Sequence, residues 1–286
     1  MATFYNQATL SYNGNVTGSN ITTGEIVGVV TVSKNAVADS YTGNEDVTYV
    51  INIINSGDTD LTNLTVTDNL GSYTLSDGTT DVVPLNYRAD SVNYYVNGVK
   101  QADPTVSDTE PLTVDGINVP AKGNAAVVYT VRTNQFAPLG ENAQITNTAT
   151  VSGGGIGTPV TADAVITHSD AINLAISKTL DPAVVPENGT ITYTFDIQNY
   201  GRTAADTTDS IIFSDTFNPV LNISSVTFNG TPWVRTTDYN YDTTSGLFTS
   251  VDGRITVPAA TYTQDAATGA WAVQPGTSTL VITGTI

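Results

Sequence analysis

The chain is built on a duplication, and the second copy stops one segment short of the first. Lys34 lies in Thr31-Val-Ser-Lys-Asn35 and Lys178 in Ala175-Ile-Ser-Lys-Thr179, 144 residues apart, each near the end of an alternating apolar run. Asp46-Val-Thr-Tyr-Val-Ile-Asn-Ile-Ile-Asn-Ser-Gly57 answers to Thr190-Ile-Thr-Tyr-Thr-Phe-Asp-Ile-Gln-Asn-Tyr-Gly201. Both alternate with period two and close on Asn-x-Gly, the pattern of a half-buried strand running into a turn. Leu64-Thr-Val-Thr-Asp68 pairs with Ile211-Ile-Phe-Ser-Asp215, and the hairpin-type turn Asn97-Gly98 with Asn229-Gly230. Residues 114–120 match 251–258, and residues 122–133 match 275–286. Short alternating runs separated by turn residues predict a β-sandwich, present twice.

The first copy carries a further run, Ile145-Thr-Asn-Thr-Ala-Thr-Val151, that the second does not repeat before Ile286. The same pattern stands at the other end of the chain in Phe4-Tyr-Asn-Gln-Ala-Thr-Leu10: apolar, x, Asn, x, Ala, Thr, apolar. Gly/Thr-rich residues follow both runs, and Asn6 precedes Lys34 by 28 residues where Asn147 precedes Lys178 by 31. A sandwich one strand short exposes an edge ready to pair. Residues 1–10 of another subunit would fill it by β-augmentation, and such a head-to-tail contact propagates as a filament unless its rotation closes. The alternatives are a frayed arm, a strand folded back onto the second domain of its own chain, or an edge strand within the first domain.

The expected architecture is all-β. An N-terminal donor strand (residues 1–12) and a connector (13–29) precede a first Ig-like β-sandwich (30–152). A linker (153–173) leads to a second Ig-like sandwich (174–286) that lacks its last strand and is completed by the donor strand of another subunit.

Composition narrows what such a chain does. Apolar residues make up 40% and charged residues only 13%, so Thr, Asn, Ser and Gly supply the polarity, and Thr, Val, Ile and Tyr suit a pleated, half-buried surface. The 27 acidic residues outnumber 9 basic ones, for a net charge of −18. The Lys/Arg clusters that phosphate binding needs are missing, so nucleic acid is not an expected partner. No apolar run approaches the roughly 18 residues of a membrane span, and no membrane partner is expected. There are no cysteines, which removes disulfides and thiolate metal sites. Met-Ala-Thr-Phe-Tyr-Asn at the start lacks the basic and apolar regions of a signal peptide; the expectation is a leader already removed or an exit from the cell that needs none.

Candidate sites for conventional chemistry are sparse. The one histidine, His168, reads as a surface residue of the linker. Without a second His or any Cys, zinc hydrolysis and His-based triads have no ligands or base. Asp58 and Asp60 read as solvated turn residues because their spacing matches no calcium loop. Gly153-Gly-Gly155 follows a strand but opens no helix, so it reads as linker rather than phosphate cradle. Trp233 and Trp271 read as packing residues before a carbohydrate platform. No cofactor and no turnover of a metabolic substrate are expected.

Residues 46–57 together with Leu61-Thr-Asn-Leu-Thr-Val-Thr-Asp68, and the terminal Pro275-Gly-Thr-Ser-Thr-Leu-Val-Ile-Thr-Gly-Thr-Ile286, resemble the bacterial conserved-repeat family of surface proteins (domain of unknown function eleven). The resemblance covers about residues 30–151 and 175–286, and the second copy departs from it over residues 203–209 and in an insertion near 261–271. It implies tandem Ig-like sandwiches on cell walls, in fibres or on spores. Through the family's similarity to collagen-adhesin-type pilin domains it also implies an internal Lys–Asn isopeptide bond.

Such a bond needs a lysine kept neutral by burial, an asparagine carboxamide that loses ammonia, and a buried protonated acid that polarises the carbonyl and shuttles protons. Lys34 and Asn147 stand in the implied order, with Asp68 as the acid and Asp46 and Glu45 as the alternatives. The second copy offers Lys178 and Asp215 but no final-strand Asn; Asn6 of the next subunit would supply it. The expected function is a structural subunit of an extracellular fibre on a bacterial cell or spore, assembled from copies of itself. The absent leader, taken with the family, points to an endospore appendage. The alternative is an adhesin stalk or surface module that binds a glycan or protein receptor.

Overall fold

A computed structural model of the chain describes residues 2–26 and 28–286, and these form strands, turns and loops with no helix among them. The chain divides into two compact units, residues 1–138 with 144–167, and residues 139–143 with 168–286. Both are all-β.

The N-terminal arm departs from the single strand expected. β1 (Ala2–Asn6), β2 (Thr9–Tyr12), β3 (Asn15–Gly18) and β4 (Thr22–Ile26) form one antiparallel ribbon in which β1 pairs β4 and β2 pairs β3. Asn13 and Gly14 turn the chain back with φ of 44° and 81°, the two successive left-handed residues that a type I′ hairpin turn requires. The part expected as connector therefore holds the return side of a hairpin, β3 and β4. β2 and β3 are exposed along their whole length, and among the described residues the ribbon joins no other sheet.

The body of the first unit begins with β5 (Val30–Ala36), β6 (Ser40–Tyr41), β7 (Asp46–Asn55) and β8 (Leu61–Asp68). A small hairpin, β9 (Tyr73–Thr74) and β10 (Asp81–Val82), precedes β11 (Leu85–Tyr87), β12 (Asn93–Val96), β13 (Val99–Lys100) and β14 (Thr105–Thr109). β15 (Leu112–Val119), β16 (Asn124–Thr133), β17 (Gln144–Gly153) and β18 (Val160–His168) complete it. One sheet runs β13-β12-β16-β7-β5 with β11 on β16; the other runs β14-β15-β8-β17-β18-β6. Period-two alternation sends Tyr49, Ile51 and Ile53 of β7, Val127 and Tyr129 of β16, and Leu64 and Val66 of β8 into one apolar core, as an Ig-like sandwich requires. Residues 153–173, expected as a linker, instead contain β18, paired with β17 from Gln144↔Thr167 to Val151↔Val160. The run of glycines makes the turn between them: Gly153, Gly154 and Gly155 all have positive φ, which favours a tight reversal over an extended tether.

The second unit repeats the first sheet strand for strand. β19 (Leu174–Asp181), β20 (Thr190–Asn199), β21 (Ser214–Thr216), β22 (Asn222–Phe228) and β23 (Thr231–Pro232) are followed by β24 (Tyr239–Tyr241) and β25 (Leu247–Ser250). The expected insertion is a hairpin, β26 (Thr261–Gln264) and β27 (Trp271–Gln274), before the long β28 (Gly276–Thr285). β19-β20-β28-β22-β23 reproduces β5-β7-β16-β12-β13, but the facing sheet is only β21-β25-β24. The core is aromatic where the first unit's is mostly aliphatic: Phe213 packs edge-on against Phe195 and Phe248, at centroid separations of 4.6 and 5.8 Å, and Tyr239 stacks on Phe248 at 4.8 Å.

Asn55 and Asn199 confirm the duplication in atomic detail. Both are fully buried. Asn55 accepts the Gly57 N–H at 2.9 Å and donates to the Thr59 and Pro120 carbonyls; Asn199 accepts from Gly201 at 2.9 Å and donates to Thr203 and Pro258. The Asn-x-Gly signature is thus a side-chain lock on the strand end, where a buried amide satisfies backbone groups that the sheet leaves unpaired.

Candidate functional site

Three of the residues singled out in the sequence converge inside the first sandwich. Lys34 on β5, Asp68 at the end of β8 and Asn147 on β17 are 4%, 1% and 0% exposed. Lys34 Nζ donates to Asp68 Oδ2 at 2.5 Å, the Tyr129 hydroxyl donates to the same oxygen, and the Leu70 N–H donates to Oδ1 at 2.9 Å. Lys34 Nζ also lies over the Tyr49 ring, 4.9 Å from its centroid. Asp68 reaches this position because β8 alternates: Leu64, Val66 and Asp68 share the inward face. Ala149 stands directly across from Asp68 in the ladder between β17 and β8, which sets Asn147 two residues further along the same inward face of β17.

Burial shifts Lys34 toward its neutral form. Burial pulls the Lys34 ammonium down from 10.5 to about 8, against the Asp68 carboxylate, which raises it. Burial, and then the Asp68 charge, hold the Tyr49 and Tyr129 hydroxyls well above their ordinary value, while the nearby Asn147 amide works in the opposite sense. The Lys34–Asp68 contact is short and dry, and burial favours the neutral, nucleophilic form of the amine. Asn147 Oδ1 accepts the Gly71 N–H at 3.2 Å, which polarises the carboxamide carbonyl. Asn147 Nδ2 is buried and has no partner in good hydrogen-bond geometry among the described residues, a costly condition for an amide.

Gly71 was not singled out in the sequence. It has φ of 71°, and a Cβ there would sit 2.4 Å from Ile145 Cγ2, so only glycine lets this N–H approach Asn147. The signal was the Asn69-Leu70-Gly71 turn after Asp68, which acquires meaning only once β17 lies beside it. Gly71→Ala is expected to destabilise the first unit by about 1–3 kcal/mol through the left-handed backbone alone, with the Ile145 clash added, as read from denaturant unfolding.

The second unit holds the same pair in an open setting. Lys178 Nζ contacts Asp215 Oδ2 at 2.5 Å and lies over the rings of Tyr193, Phe195 and Phe217 at 4.8, 5.2 and 5.5 Å. The side chains are 42% and 20% exposed, against 0% and 1% for Lys34 and Asp68. β21 pairs only with β25, and among the described residues no strand pairs with its other edge, where β8 has β17. Residues 211–213, which match the strand residues 64–66, lie outside any strand. A groove of about 320 Å³ opens there, lined by Leu174, Ile176, Ile197, Ile211, Phe213 and Ile255. Asn6 lies on the arm, in the first unit, paired with Thr22.

The remaining candidates are placed elsewhere. Glu45 caps the loop at Thr42 and Asp46 pairs with Arg88 and Arg132 near the surface, so neither approaches Lys34 as the alternative acid. Asp58 pairs with Lys122 at 3.0 Å, and Asp60 accepts the Ala121 N–H. His168 is not the surface residue expected: its side chain is 5% exposed and its ring meets Tyr262 edge-on at 5.4 Å. Burial lowers its pKa. Trp233 stacks on Phe228 at 5.1 Å and joins the core of the second unit, and Trp271 lies against Gly140. No group of three or more His, Asp or Glu that could hold a metal occurs among the described residues.

No protein-family model matches the chain and no curated protein matches it, so the conserved-repeat resemblance rests on the quoted residues alone. Solved structures do match. A variant of the major pilin subunit of Bacillus cereus aligns with 95% of this chain and 66% of its own, at 9% identity and a TM-score of 0.37. The pilus backbone protein of Streptococcus pneumoniae aligns with 86% of this chain and 55% of its own, at 11% identity and 0.34. The full-length major pilin SpaD of Corynebacterium diphtheriae aligns over 86% and 59%, at 15% identity and 0.35. The chain thus spans between about half and two thirds of the length of these pilins.

Proposed function

We propose that the chain is the structural subunit of an extracellular fibre on a bacterial cell or spore. The N-terminal arm of one copy adds to the open sheet of the second unit of the preceding copy, and Lys–Asn isopeptide bonds lock the result. The observation that carries this reading is the contrast between two matched Lys–Asp pairs. One is sealed beneath β17 with an asparagine beside it; the other lies half in solvent next to an unpaired strand edge and an apolar groove. An edge of this kind invites a strand, and the strand whose sequence copies β17 is on the arm.

Within the first unit the proposed reaction is amide exchange. The neutral Lys34 amine attacks Asn147 Cγ, the carbonyl being polarised by the Gly71 N–H and by protonated Asp68. The Nζ–Cγ amide forms, the Cγ–Nδ2 bond breaks, and Nδ2 leaves as ammonia with protons relayed through Asp68. The lack of a partner in good hydrogen-bond geometry for Nδ2 among the described residues accords with this: the atom so placed is the one that departs. Between subunits, Lys178, Asp215 and the incoming Asn6 play the same parts. Each site reacts once, so the chemistry is maturation and not turnover, and it provides the staple that a chain without cysteines otherwise lacks.

Electron microscopy and size analysis of the purified chain are expected to show long polymers that resist boiling in detergent. Deleting residues 2–10 should leave monomers, and Lys178→Ala should leave polymers that dissolve. Intact mass should fall by one ammonia for each bond formed. A monodisperse full-length monomer at every concentration would sink the proposal.

A further inference from the structure

Resting on the fibre reading, we infer that the element donated to a second copy of this chain is the whole two-stranded arm, residues 2–26, docked in one defined register. The first unit contains its own template for this. There β17 and β18 form an antiparallel hairpin whose first strand lies against β8, and the arm is a hairpin of the same order, with β1 and β2 corresponding to β17 and with β3 and β4 to β18. Asn147 pairs with Ala164 and Ile145 with Ile166; Asn6 pairs with Thr22 and Phe4 with Gly24.

The faces agree as well. Ile145, Asn147, Ala149 and Val151 are the buried face of β17, and the sequence match sets Phe4, Asn6, Ala8 and Leu10 in their places. Phe4 and Leu10 are 53% and 63% exposed in this chain where Ile145 and Val151 are 2% and 0% exposed. A ribbon that shows this much apolar surface on the face that should be buried is unfinished as a free element. Its irregularity lies on the return strand: residues 19–21 oppose only residues 7 and 8, so the strand that must pair keeps a regular alternation.

The register follows from the template. Ala149 opposes Asp68, Thr150 opposes Thr67 and Val151 opposes Val66. Carried to the second unit, Ala8 opposes Asp215, Thr9 opposes Ser214 and Leu10 opposes Phe213, with Leu10 entering the groove beside Ile211 and Ile255. Asn6 then stands to Lys178 as Asn147 stands to Lys34, and the three-stranded sheet gains two strands. Exposed Ile176 and Ile212 lie beside the same groove. The return strand matters because it pairs the outer edge of the donated strand, as β18 pairs that of β17.

Because the chain lacks cysteine, the register can be read by cross-linking. Thr9→Cys with Ser214→Cys, in a Lys178→Ala background, should give an oxidised ladder of chains on a denaturing gel, lost on reduction. Thr3→Cys with Ser214→Cys should give none, being too far apart to bridge. Replacing residues 15–26 by a Gly/Ser chain of equal length should abolish assembly although the first strand is intact. A full-length chain that forms no polymer overturns the fibre reading itself. Polymers that form with the Gly/Ser replacement, or a ladder from the Thr3 pair, overturn the hairpin or its register and leave the fibre standing. A Thr9–Ser214 disulfide confined to single chains overturns the second copy as occupant in favour of fold-back.

Discussion

Asn147→Ala is expected to abolish the mass deficit of one ammonia in the first unit and to lower that unit's unfolding free energy by about 5 kcal/mol, the chain-entropy value for a cross-link closing a loop of roughly 100 residues. A pH series separates this from simple loss of packing. Without the bond, Lys34 keeps an amine whose folded-state pKa is about 8 against 10.5 when unfolded. Below pH 8 both states are protonated and the burial penalty is present in full. Between about pH 8 and 10 the unfolded chain binds more protons than the folded one, so stability rises with pH, by at most roughly 3 kcal/mol over the whole shift. Above about pH 10 Tyr49 and Tyr129 reverse the trend, since burial keeps them protonated in the fold while unfolded tyrosines ionise. The variant should therefore gain stability from pH 8 to 10, and the unmodified protein, with Lys34 held as an amide, should not. A full-mass unmodified protein that gains stability in the same way would show that no bond forms.

Much of this organisation could be read from residues alone, and the reasons are local. The duplication is visible because strand ends need specific side chains: the Asn-x-Gly lock recurs at Asn55 and Asn199 with equivalent partners. Asp68 stood out from Glu45 and Asp46 because Leu64 and Val66 fix which way its side chain faces in an alternating strand. What was missed depended on neighbours distant in sequence. Gly71 became part of the site only through β17, whose Ile145 fills the space a side chain would need. β18 was hidden by the glycines before it, which as readily suggest a tether as a turn. The hairpin of the arm was within reach, since Asn13-Gly14 between alternating runs is a strong turn signal. The seven-residue match covers the first strand alone, and the return strand, having no such match, reads as a connector. His168 was misread because its cover comes from Tyr262, on an inserted hairpin with no counterpart in the first copy.

Asp68→Ala and Asp215→Ala, the same change at matched positions, should differ widely in cost until the chains assemble. Asp68→Ala removes the counter-charge of a fully buried Lys34 and the acceptor of the Tyr129 and Leu70 hydrogen bonds. Breaking a buried pair from one side costs about 3–5 kcal/mol, and without the acid the stabilisation from the proposed Lys34–Asn147 bond is lost as well. Asp215→Ala leaves Lys178 with 42% of its side chain in water, where an ion pair contributes less than about 1 kcal/mol. In a chain lacking residues 1–26, which carries the open sheet but no donor, the second substitution should therefore barely move the unfolding midpoint. In the proposed fibre, docking of the arm would give Lys178 the surroundings of Lys34: water would be displaced, the charge would lose solvent support, and the acid to shuttle protons to the incoming Asn6 would be missing. Fibres of full-length Asp215→Ala should thus form weakly, dissolve in detergent, and lose several kcal/mol of contact stability that the donor-less chain never had. Denaturant midpoints measured on both forms decide the matter. An equal, small effect in each would mean that no copy of the arm ever seals this pair, and the open edge beside β21 would need another explanation.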